Sequence, residues 1–385
     1  MIVPVAREFC SIGASHEPRT RARPREKILV VQTSFLGDVV LTTPLLSEIR
    51  RHFPDAELAV LCTPQAESLL HGNPDIQEIL TDDKRGEGRG WRGLWRKARD
   101  LKSRGFTIAV SPHRSFRTGF LLFLARIPYR VGFRQSAGRF FYHHRVERDL
   151  GRHDVERNLS LLEALGVDPA ASRRELWVGV EPDARQAVQR LFRSLGIERN
   201  GLTFGIHPGS VWPTKRWTPR GYAELMVLLK RRYRCQILLF GGPQDQEIVT
   251  QIQELSGDLG VNLAGKVRLR ELACALESCD VFITNDSGPM HVAVAQRVPV
   301  VALFCATTPS LGFYPYSPRA VVVEKDLSCR PCSSHGGRRC PLGTEDCMRL
   351  IKAEDVLRGV ARLLDGAGQP GPATADPYLP EFMTL

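Results

Sequence analysis

The sequence lacks any apolar run of the roughly 18 residues that a membrane-spanning helix needs. Its first six residues are apolar or small, but Arg7 follows at once, so the run is too short for the core of a secretory signal. Residues 7–26 are rich in Arg and Pro without periodicity, and we expect a disordered tail over residues 1–26. Without a signal, the ten cysteines indicate free thiols or a metal site rather than a disulfide framework.

Acidic residues are outnumbered, since 42 Asp and Glu face 53 Lys and Arg, which leaves a formal net charge of +11. A basic surface predicts an anionic partner, such as nucleic acid, an acidic membrane face or a phosphorylated substrate. Nucleic acid is disfavoured because no known nucleic-acid-binding motif accompanies the basic residues. Residues 84–104 carry nine Lys or Arg and helically spaced Trp91 and Trp95. This pattern fits a helix on an anionic membrane, or a crossover helix whose apolar stripe packs on a sheet.

Also missing are the G-x-G-x-x-G fingerprint of dinucleotide-binding domains and the Walker A loop. This absence argues against an NAD-dependent oxidoreductase. Residues 27–32 predict a buried strand, and Gly37 and Asp38 lie in the turn that follows it. A carboxylate there fits a general base that deprotonates an acceptor hydroxyl, and it fits equally a cap of the next helix.

Short apolar strands alternate with amphipathic helices along most of the chain, which predicts two doubly wound α/β domains. We expect an N-terminal acceptor-binding domain over residues 27–195 and a C-terminal nucleotide-sugar-binding domain over residues 196–350. A helix over residues 351–365 is expected to pack back on the first domain, and a disordered tail to cover residues 366–385. Residues 175–178 are expected to form an edge strand. Because ligands bind at the carboxyl ends of parallel strands, the loops after the strands should line a cleft between the domains.

Loops in the second half have the chemistry of a phosphate site. Ser210, Lys215 and Arg216 lie between a predicted strand and a helix, where they supply the charge and N–H donors that a leaving pyrophosphate needs. A solvated basic loop is the alternative. Residues 284–288 end a strand and begin a helix whose free N–H groups attract phosphate. His291, about one turn into that helix, either reaches the cleft or belongs to the core.

Taken together and in this order, the loops resemble the bacterial ADP-heptose:lipopolysaccharide heptosyltransferases of glycosyltransferase family 9, which have the GT-B fold. The resemblance spans residues 27–364 and rests on the motifs at residues 34–38, 208–217, 239–241, 262–265 and 284–292. It implies metal-independent transfer with inversion at the anomeric carbon and Asp38 as the catalytic base. It also implies a site for the ADP-heptose donor made of Ser210, Lys215, Gly241, Gly242, Gly265, Lys266, Val267, Asp286, Ser287, Gly288 and His291.

Residues 111–117 and 127–132 look more like the second heptosyltransferase of this family than the first. The implied acceptor is the inner core of lipopolysaccharide, so we expect a cytoplasmic protein with peripheral contact to the inner membrane. Acidic groups of the acceptor are expected to meet His113, Arg114, Arg117, Arg130 and Arg134. Solvated surface arginines are the alternative. Gln244 and Asp245 depart from the family pattern, because some members carry there a Glu that contacts the donor.

Cys329 and Cys332 form a C-x-x-C pair, and Cys340 and Cys347 follow with six residues between them. Four such thiols have the makings of a structural zinc site, although the second spacing is irregular, and free or redox-active thiols are the alternative. No cofactor is expected to be required for the chemistry. Two other functions remain open: a family 9 transferase with a different glycan or protein acceptor, and a non-catalytic nucleotide-sugar-binding protein.

Overall fold

The computed structural model describes residues 26–198, 200–365 and 376–385. Its first half contains β1 (Lys27–Val31), α1 (Leu36–Val40), α2 (Thr43–His52), β2 (Glu57–Cys62), α3 (Pro64–Leu70), β3 (Glu78–Thr81), α4 (Gly90–Ser103), β4 (Ile108–Ser111), α5 (Phe116–Leu124), β5 (Tyr129–Phe133), β6 (His144–Val146) and α6 (Asp154–Ser160). Its second half contains α7 (Pro182–Ser194), β7 (Leu202–His207), α8 (Pro219–Arg232), β8 (Cys235–Leu239), α9 (Gln246–Ser256), β9 (Val261–Asn262), α10 (Leu269–Leu276), β10 (Val281–Asn285), α11 (Gly288–Ala295), β11 (Val300–Phe304), β12 (Ala320–Glu324), α12 (Asp346–Arg349), α13 (Ala353–Asp365) and β13 (Glu381–Thr384).

The strands form two parallel sheets, which confirms the predicted pair of doubly wound α/β domains. The first sheet has the order β3-β2-β1-β4-β5-β6, and the second has the order β9-β8-β7-β10-β11-β12-β13. The direction of winding reverses between β1 and β4 and again between β7 and β10. A crevice opens at the carboxyl ends of the strands wherever such a reversal occurs. The fold therefore provides two crevices, and the loops after these four strands line them.

Strand β1 shows why the apolar runs of this chain are strands covered on both faces. Ile28 and Val30 pack into one core cluster with α2, whereas Leu29 and Val31 pack into another with α4. All four side chains are fully buried. Because successive side chains of a strand point to opposite faces, a continuous apolar run is what a central strand of such a sheet requires.

The C-terminal segment differs from its expectation. Residues 376–385 were expected to be disordered, but they include β13, which pairs in parallel with β12 at the sheet edge. Met383 is buried there. The expectation was wrong because this short segment gains its order from a partner strand about sixty residues earlier in the chain. Residues 1–25 and 366–375 lie outside the described residues.

Two helices also pack differently from the expectation. Helix α13 does not return to the first domain, because Val356 and Val360 join Val321 and Val323 in the core of the second sheet. Helix α7, expected within a first domain ending at residue 195, packs against α10, with Val188 in a core cluster of the second domain. The first domain therefore ends before Pro182.

Residues 175–178 form no strand, contrary to expectation, and β6 occupies that edge of the first sheet. The segment is instead a connection that runs over the helices. The Trp177 N–H donates to the Thr43 hydroxyl at 2.9 Å, and the Gly179 N–H donates to the Leu69 carbonyl at 3.2 Å. These two N–H groups bond to helix residues rather than to a neighbouring strand.

The two domains meet directly at the turn after β1. Val40 and Leu69 of the first domain belong to a core cluster made mainly by the second. A Cβ placed on Gly288 would lie 3.4 Å from the Cβ of Leu36, so α1 and α11 approach backbone to backbone. Among the described residues, no helix has the length and apolar character needed to cross a bilayer.

Candidate active site

Asp38 lies on α1, immediately beyond the carboxyl end of β1. The Phe35 N–H donates to Asp38 Oδ2 at 3.1 Å, so the side chain does cap the start of its own helix. That bond engages one of the two carboxylate oxygens and fixes the direction of the group. The cap and general-base interpretations of Asp38 are therefore compatible.

The surroundings of Asp38 suit a proton acceptor. Burial raises the pKa of its carboxyl group to about 7, and the negative charge of Asp154 adds to this effect. The Phe35 N–H and the positive charges of Arg114 and Arg148 oppose the rise. Asp154 is itself held by Arg148 at 2.5 Å. A carboxylate whose pKa lies near neutrality accepts a proton efficiently at that pH.

The loop after β4 brings two candidate acceptor-binding residues to this turn. His113 Nδ1 lies 3.1 Å from the Thr33 hydroxyl and 2.7 Å from the Thr118 hydroxyl, which fixes the ring. Burial lowers the pKa of His113 to about 3, so the ring is neutral. Arg114 is exposed and lies within electrostatic reach of Asp38. An exposed cation beside a half-buried carboxylate is suited to an anionic acceptor.

The other three arginine candidates have protein partners. Arg117 forms a bidentate pair with Asp82, at 2.7 and 3.3 Å. The Arg130 guanidinium donates to the carbonyls of Ile127 and Phe141. Arg134 is exposed and pairs with Glu147 at 3.3 Å. The structure thus brings His113 and Arg114 to the Asp38 turn, whereas Arg117 and Arg130 hold the first domain together.

On the second-domain side of the cleft, an ion pair between Lys215 and Asp286 joins the loops after β7 and β10. Lys215 Nζ lies 2.6 Å from Asp286 Oδ2, and the Thr307 hydroxyl donates to the same oxygen at 2.7 Å. The two charged side chains are only 14 and 8% exposed. Gly288 begins α11 just beyond Asp286, and the Ser287 hydroxyl lies 3.2 Å from that of Thr284. A mostly buried ammonium group beside a helix N-terminus is a favourable place for phosphate.

Asn285 links these two loops, and the sequence motif did not reveal this role. Its Oδ1 accepts hydrogen bonds from the backbone N–H of Trp217 and from the Tyr222 hydroxyl, both at 2.9 Å. Its Nδ2 donates to the Pro208 carbonyl at 2.8 Å. The side chain is fully buried, so one amide fixes the β7 loop, the start of α8 and the end of β10 relative to one another. The sequence signal that could have indicated this role is the position of Asn285 at a strand end, next to Asp286.

Arg216 supports the loop rather than facing the cleft. Its Nε and Nη2 donate to the Ser210 carbonyl at 2.9 and 2.6 Å, which bends the loop around Ser210. Asp245 is buried between the loops after β7 and β8, and a Cβ on Gly209 or Gly241 would lie 2.6 or 2.8 Å from it. Asp245 Oδ2 accepts from the Gly242 N–H at 3.0 Å. Gly209 and Gly241 are thus required because the Asp245 side chain packs directly against their backbone.

The loops after β8 and β9 lie side by side. The Gly265 N–H donates to the Gly241 carbonyl at 2.9 Å, and Gly265 has a φ of +73°, which a residue with a side chain rarely adopts. Lys266 is exposed, with its ammonium group donating to the Asn262 carbonyl at 2.9 Å. Val267, half-buried, follows. The structure therefore gathers Gly241, Gly242, Gly265, Lys266 and Val267 at one edge of the second domain.

His291 carries the contact between the two walls. A Cβ placed on Gly37, next to Asp38, would lie 2.8 Å from His291 Cδ2. Burial lowers the pKa of His291 to about 4, although the nearby Asp286 charge opposes this, so the ring is neutral. Its Nδ1 is buried and has no hydrogen-bond partner among the described residues. His291 contacts the Asp38 turn of the first domain, and the charges of Lys215 and Asp286 in the second domain act on its pKa. The two sides of the cleft therefore form one site.

The cysteine-rich segment packs over the mouth of this site. The Gly337 N–H donates to the Thr214 hydroxyl at 2.8 Å, and the His335 ring lies 6.1 Å from that of Phe35. Cys329, Cys332, Cys340 and Cys347 are not joined in disulfides. In the part of the chain that the structure describes, no three His, Cys, Asp or Glu side chains are arranged to hold a metal ion. The structural zinc site stays a prediction from the spacing alone.

Comparison with known proteins agrees with this geometry. Residues 94–341 match the family model described as glycosyltransferase family 9 (heptosyltransferase). The lipopolysaccharide heptosyltransferase 2 of Salmonella typhimurium is 30% identical over 313 residues, covering 77% of this chain and 88% of that protein. A family 9 glycosyltransferase from Veillonella parvula matches with a TM-score of 0.80 and 28% identity, covering 90% of this chain and 99% of the other. The ADP-heptose lps heptosyltransferase II of E. coli has the same fold, with a TM-score of 0.69 and 24% identity over 88% of this chain and 98% of its own.

Proposed function

The chain belongs to glycosyltransferase family 9, and from this premise we propose that it transfers heptose from ADP-heptose to the inner core of lipopolysaccharide. The reaction inverts the anomeric carbon and requires no cofactor. It takes place at the cytoplasmic face of the inner membrane, where the acceptor is embedded, and the protein contacts that membrane peripherally.

One observation carries the proposal. A carboxylate with a pKa near neutrality, on Asp38, and a mostly buried cation, Lys215, belong to opposite domains and to one site, joined through His291. Direct transfer of a sugar needs a base at the acceptor hydroxyl and positive charge at the leaving phosphate. The arrangement offers both, on opposite sides of the space that a sugar would occupy.

The chemical step follows from this placement. Asp38 removes the proton of the acceptor hydroxyl while the oxygen forms its bond to the anomeric carbon from the face opposite ADP. The bond between that carbon and the phosphate oxygen breaks, and its electron pair stays with the departing ADP. Lys215, Ser210 and the free N–H groups at the start of α11 stabilise the developing negative charge. The proton remains on Asp38 until it is lost to water.

The other groups position the two substrates. Asp286, Ser287 and the neutral His291 hold the donor sugar and phosphate. The adenosine lies along Gly241, Gly242 and the 265–267 turn, where a glycine backbone permits close approach. His113 and Arg114 meet the acceptor, with Arg114 attracting its acidic groups.

The test is Asp38→Asn, which preserves shape but removes the base. We expect transfer to fall by about 10²–10⁴-fold, the usual contribution of a general base, while ADP binding is retained. Product is measured by mass spectrometry with ADP-heptose and a panel of truncated core acceptors, and ADP affinity by calorimetry. Asp55→Asn, at an exposed position, is the matched control.

Equal turnover in the Asp38→Asn variant would refute the base assignment. Transfer by the wild-type protein to a different glycan or to a protein, but not to core acceptors, would retain the reaction and replace the acceptor. Binding of ADP-heptose by the wild-type protein with no transfer to any acceptor would leave a non-catalytic nucleotide-sugar-binding protein.

A further inference from the structure

The first domain has an aromatic face on its outer surface. It is formed by two helices and a neighbouring turn, and its rings are Trp91 and Trp95 of α4, Phe116, Phe120 and Phe123 of α5, and Phe140. Trp91 and Phe140 are 66 and 67% exposed, and Trp95, Phe116 and Phe123 are 54, 54 and 49% exposed. Soluble surfaces rarely gather so many large apolar side chains, and such patches usually mark an interaction site.

The aromatic face is not the core-facing side of its helices. Leu94, Ala98 and Leu101 of α4 are buried against the first sheet together with Leu121 and Leu122 of α5. The crossover-helix interpretation of residues 84–104 is therefore correct for those apolar residues but does not account for the two tryptophans. The helices have one apolar side that packs inward and a second that points to solvent.

Contacts among the rings hold this face in shape. Trp91 meets Phe120 edge-on with centroids 5.6 Å apart, and Phe116 and Phe120 stack at 6.0 Å. Phe141 lies below them, 5.4 Å from both Phe116 and Phe123. A groove of about 530 Å³ continues the face from Trp95 past Phe123. A preformed apolar surface binds its partner with little loss of conformational freedom.

Positive charge surrounds the aromatic face. Exposed basic residues at its rim are Arg92, Arg96, Arg99, Arg126 and Arg139. The Arg139 guanidinium lies over the Phe140 ring at 4.5 Å. The acids nearby are engaged, since Glu87 lies 3.9 Å from Arg96, and Asp100 pairs with Lys97 and Arg104. Tryptophan and phenylalanine inside a rim of arginine match the interface of an anionic bilayer, with acyl chains for the rings and phosphates for the guanidinium groups.

The aromatic face also has the right position relative to the site. Helix α5 begins at Phe116, directly after the loop that carries His113 and Arg114 next to Asp38. A surface attached there keeps the acceptor loop close to the bilayer. We propose that the aromatic face docks on the anionic surface of a phospholipid bilayer and so presents a lipid-anchored acceptor to Asp38. The docking assigns the peripheral membrane contact of the proposed function to one surface, and the role given to the acceptor rests on that function.

The experiment measures sedimentation of the full chain with phospholipid vesicles. Vesicles containing phosphatidylglycerol should bind the wild-type protein at least tenfold more tightly than vesicles of pure phosphatidylcholine, and added salt should weaken the binding. The triple variant Trp91→Ala, Phe123→Ala, Phe140→Ala should lose at least tenfold of the affinity. The control Leu255→Ala removes a side chain of similar exposure, 53%, from α9 of the other domain and should bind as the wild type does.

Two results would overturn the docking proposal. One is equal vesicle binding by the triple variant and the wild type. The other is absence of vesicle binding by the wild-type protein. If the triple substitution then changes self-association in light scattering, the aromatic face is an interface between copies of the chain.

Transfer to a water-soluble, deacylated acceptor separates the two proposals. The triple variant should keep the wild-type rate in that assay, because none of its three residues touches the proposed site. A wild-type protein that binds vesicles but transfers nothing would refute the proposed function and leave the docking surface standing.

Discussion

The ionisation of Asp38 controls the pH dependence that we expect for the reaction. Because burial and Asp154 raise its pKa to about 7, the group is protonated below that pH and has no capacity to accept a proton. We therefore expect kcat/KM to fall as the pH decreases below about 7 and to level off above it. Arg114 lowers the pKa of Asp38, so Arg114→Met should move this limb to higher pH.

The measurement is the pH profile of kcat/KM with a saturating donor. Arg134→Met removes an exposed arginine that pairs with Glu147 and should leave the limb in place. The assignment fails if the limb stays at the same pH in the Arg114 variant, whatever the change in its absolute rate.

Lys215 is the residue on which donor affinity should depend most. Charge-assisted hydrogen bonds contribute about 1.5–3 kcal/mol, so Lys215→Ala should weaken ADP binding by roughly 10–100-fold. The substitution also leaves Asp286 with Thr307 as its remaining hydrogen-bond partner, which should lower the melting temperature. Calorimetry with ADP measures the first effect. Lys230→Ala, which removes an ammonium group that donates to the Cys235 carbonyl at the far end of α8, is the control.

An unchanged dissociation constant in the Lys215 variant would argue against its contact with phosphate. A fall in melting temperature alone would show that the lysine serves only to neutralise Asp286.

Among the structural elements, β10 and α8 are joined through the side chain of Asn285. Asn285→Ala leaves the buried Tyr222 hydroxyl and the backbone N–H of Trp217 without their acceptor. An unsatisfied buried group costs about 1–3 kcal/mol, so we expect the free energy of unfolding to fall by at least that amount. ADP affinity should fall as well, because the Pro208 loop is released.

Denaturant titration and calorimetry measure the two effects of the Asn285 substitution. Asn200→Ala, at an exposed position where the side-chain amide donates to Glu198, should change neither. Loss of stability without loss of ADP affinity would mean that Asn285 supports the fold but not the geometry of the donor loops.

For the whole molecule, the approach of the two domains depends on the missing side chain of Gly37. A Cβ there would lie 2.8 Å from Cδ2 of the buried His291, and the ring has no room to retreat as a flexible chain end would. We expect Gly37→Ala to move the two domains slightly apart at this contact. Misplacement of reacting groups by about 1 Å lowers kcat by about 10²-fold, and we expect a loss of that size.

Steady-state kinetics and small-angle X-ray scattering test the Gly37 substitution. Gly151→Ala, where the added Cβ meets only the Asp149 carboxylate at 3.3 Å, is the control. A wild-type kcat in the Gly37 variant would show that close contact between Gly37 and His291 is not needed for transfer.

Local sequence patterns were sufficient to predict most of the alternating strands and helices and the loops at the ends of β1, β4, β7 and β10, but not β6, β9 or β12. The reason is physical, since a strand covered on both faces must be apolar throughout, and ligands reach a parallel sheet only beyond its carboxyl edge. The fold class and the family resemblance followed from these features. The roles of the individual site residues remain predictions.

Long-range contacts decided the remainder. Arg117 and Arg114 look equally available in the sequence, yet Asp82, thirty-five residues before Arg117, pairs with Arg117, whereas Arg114 stays exposed beside Asp38. Strand β13 exists because β12 offers an edge, and Asn285 joins loops seventy-seven residues apart. Burial and hydrogen-bond partners are properties of the assembled chain, so a local window contains neither the raised pKa of Asp38 nor the contact of Gly37 with His291.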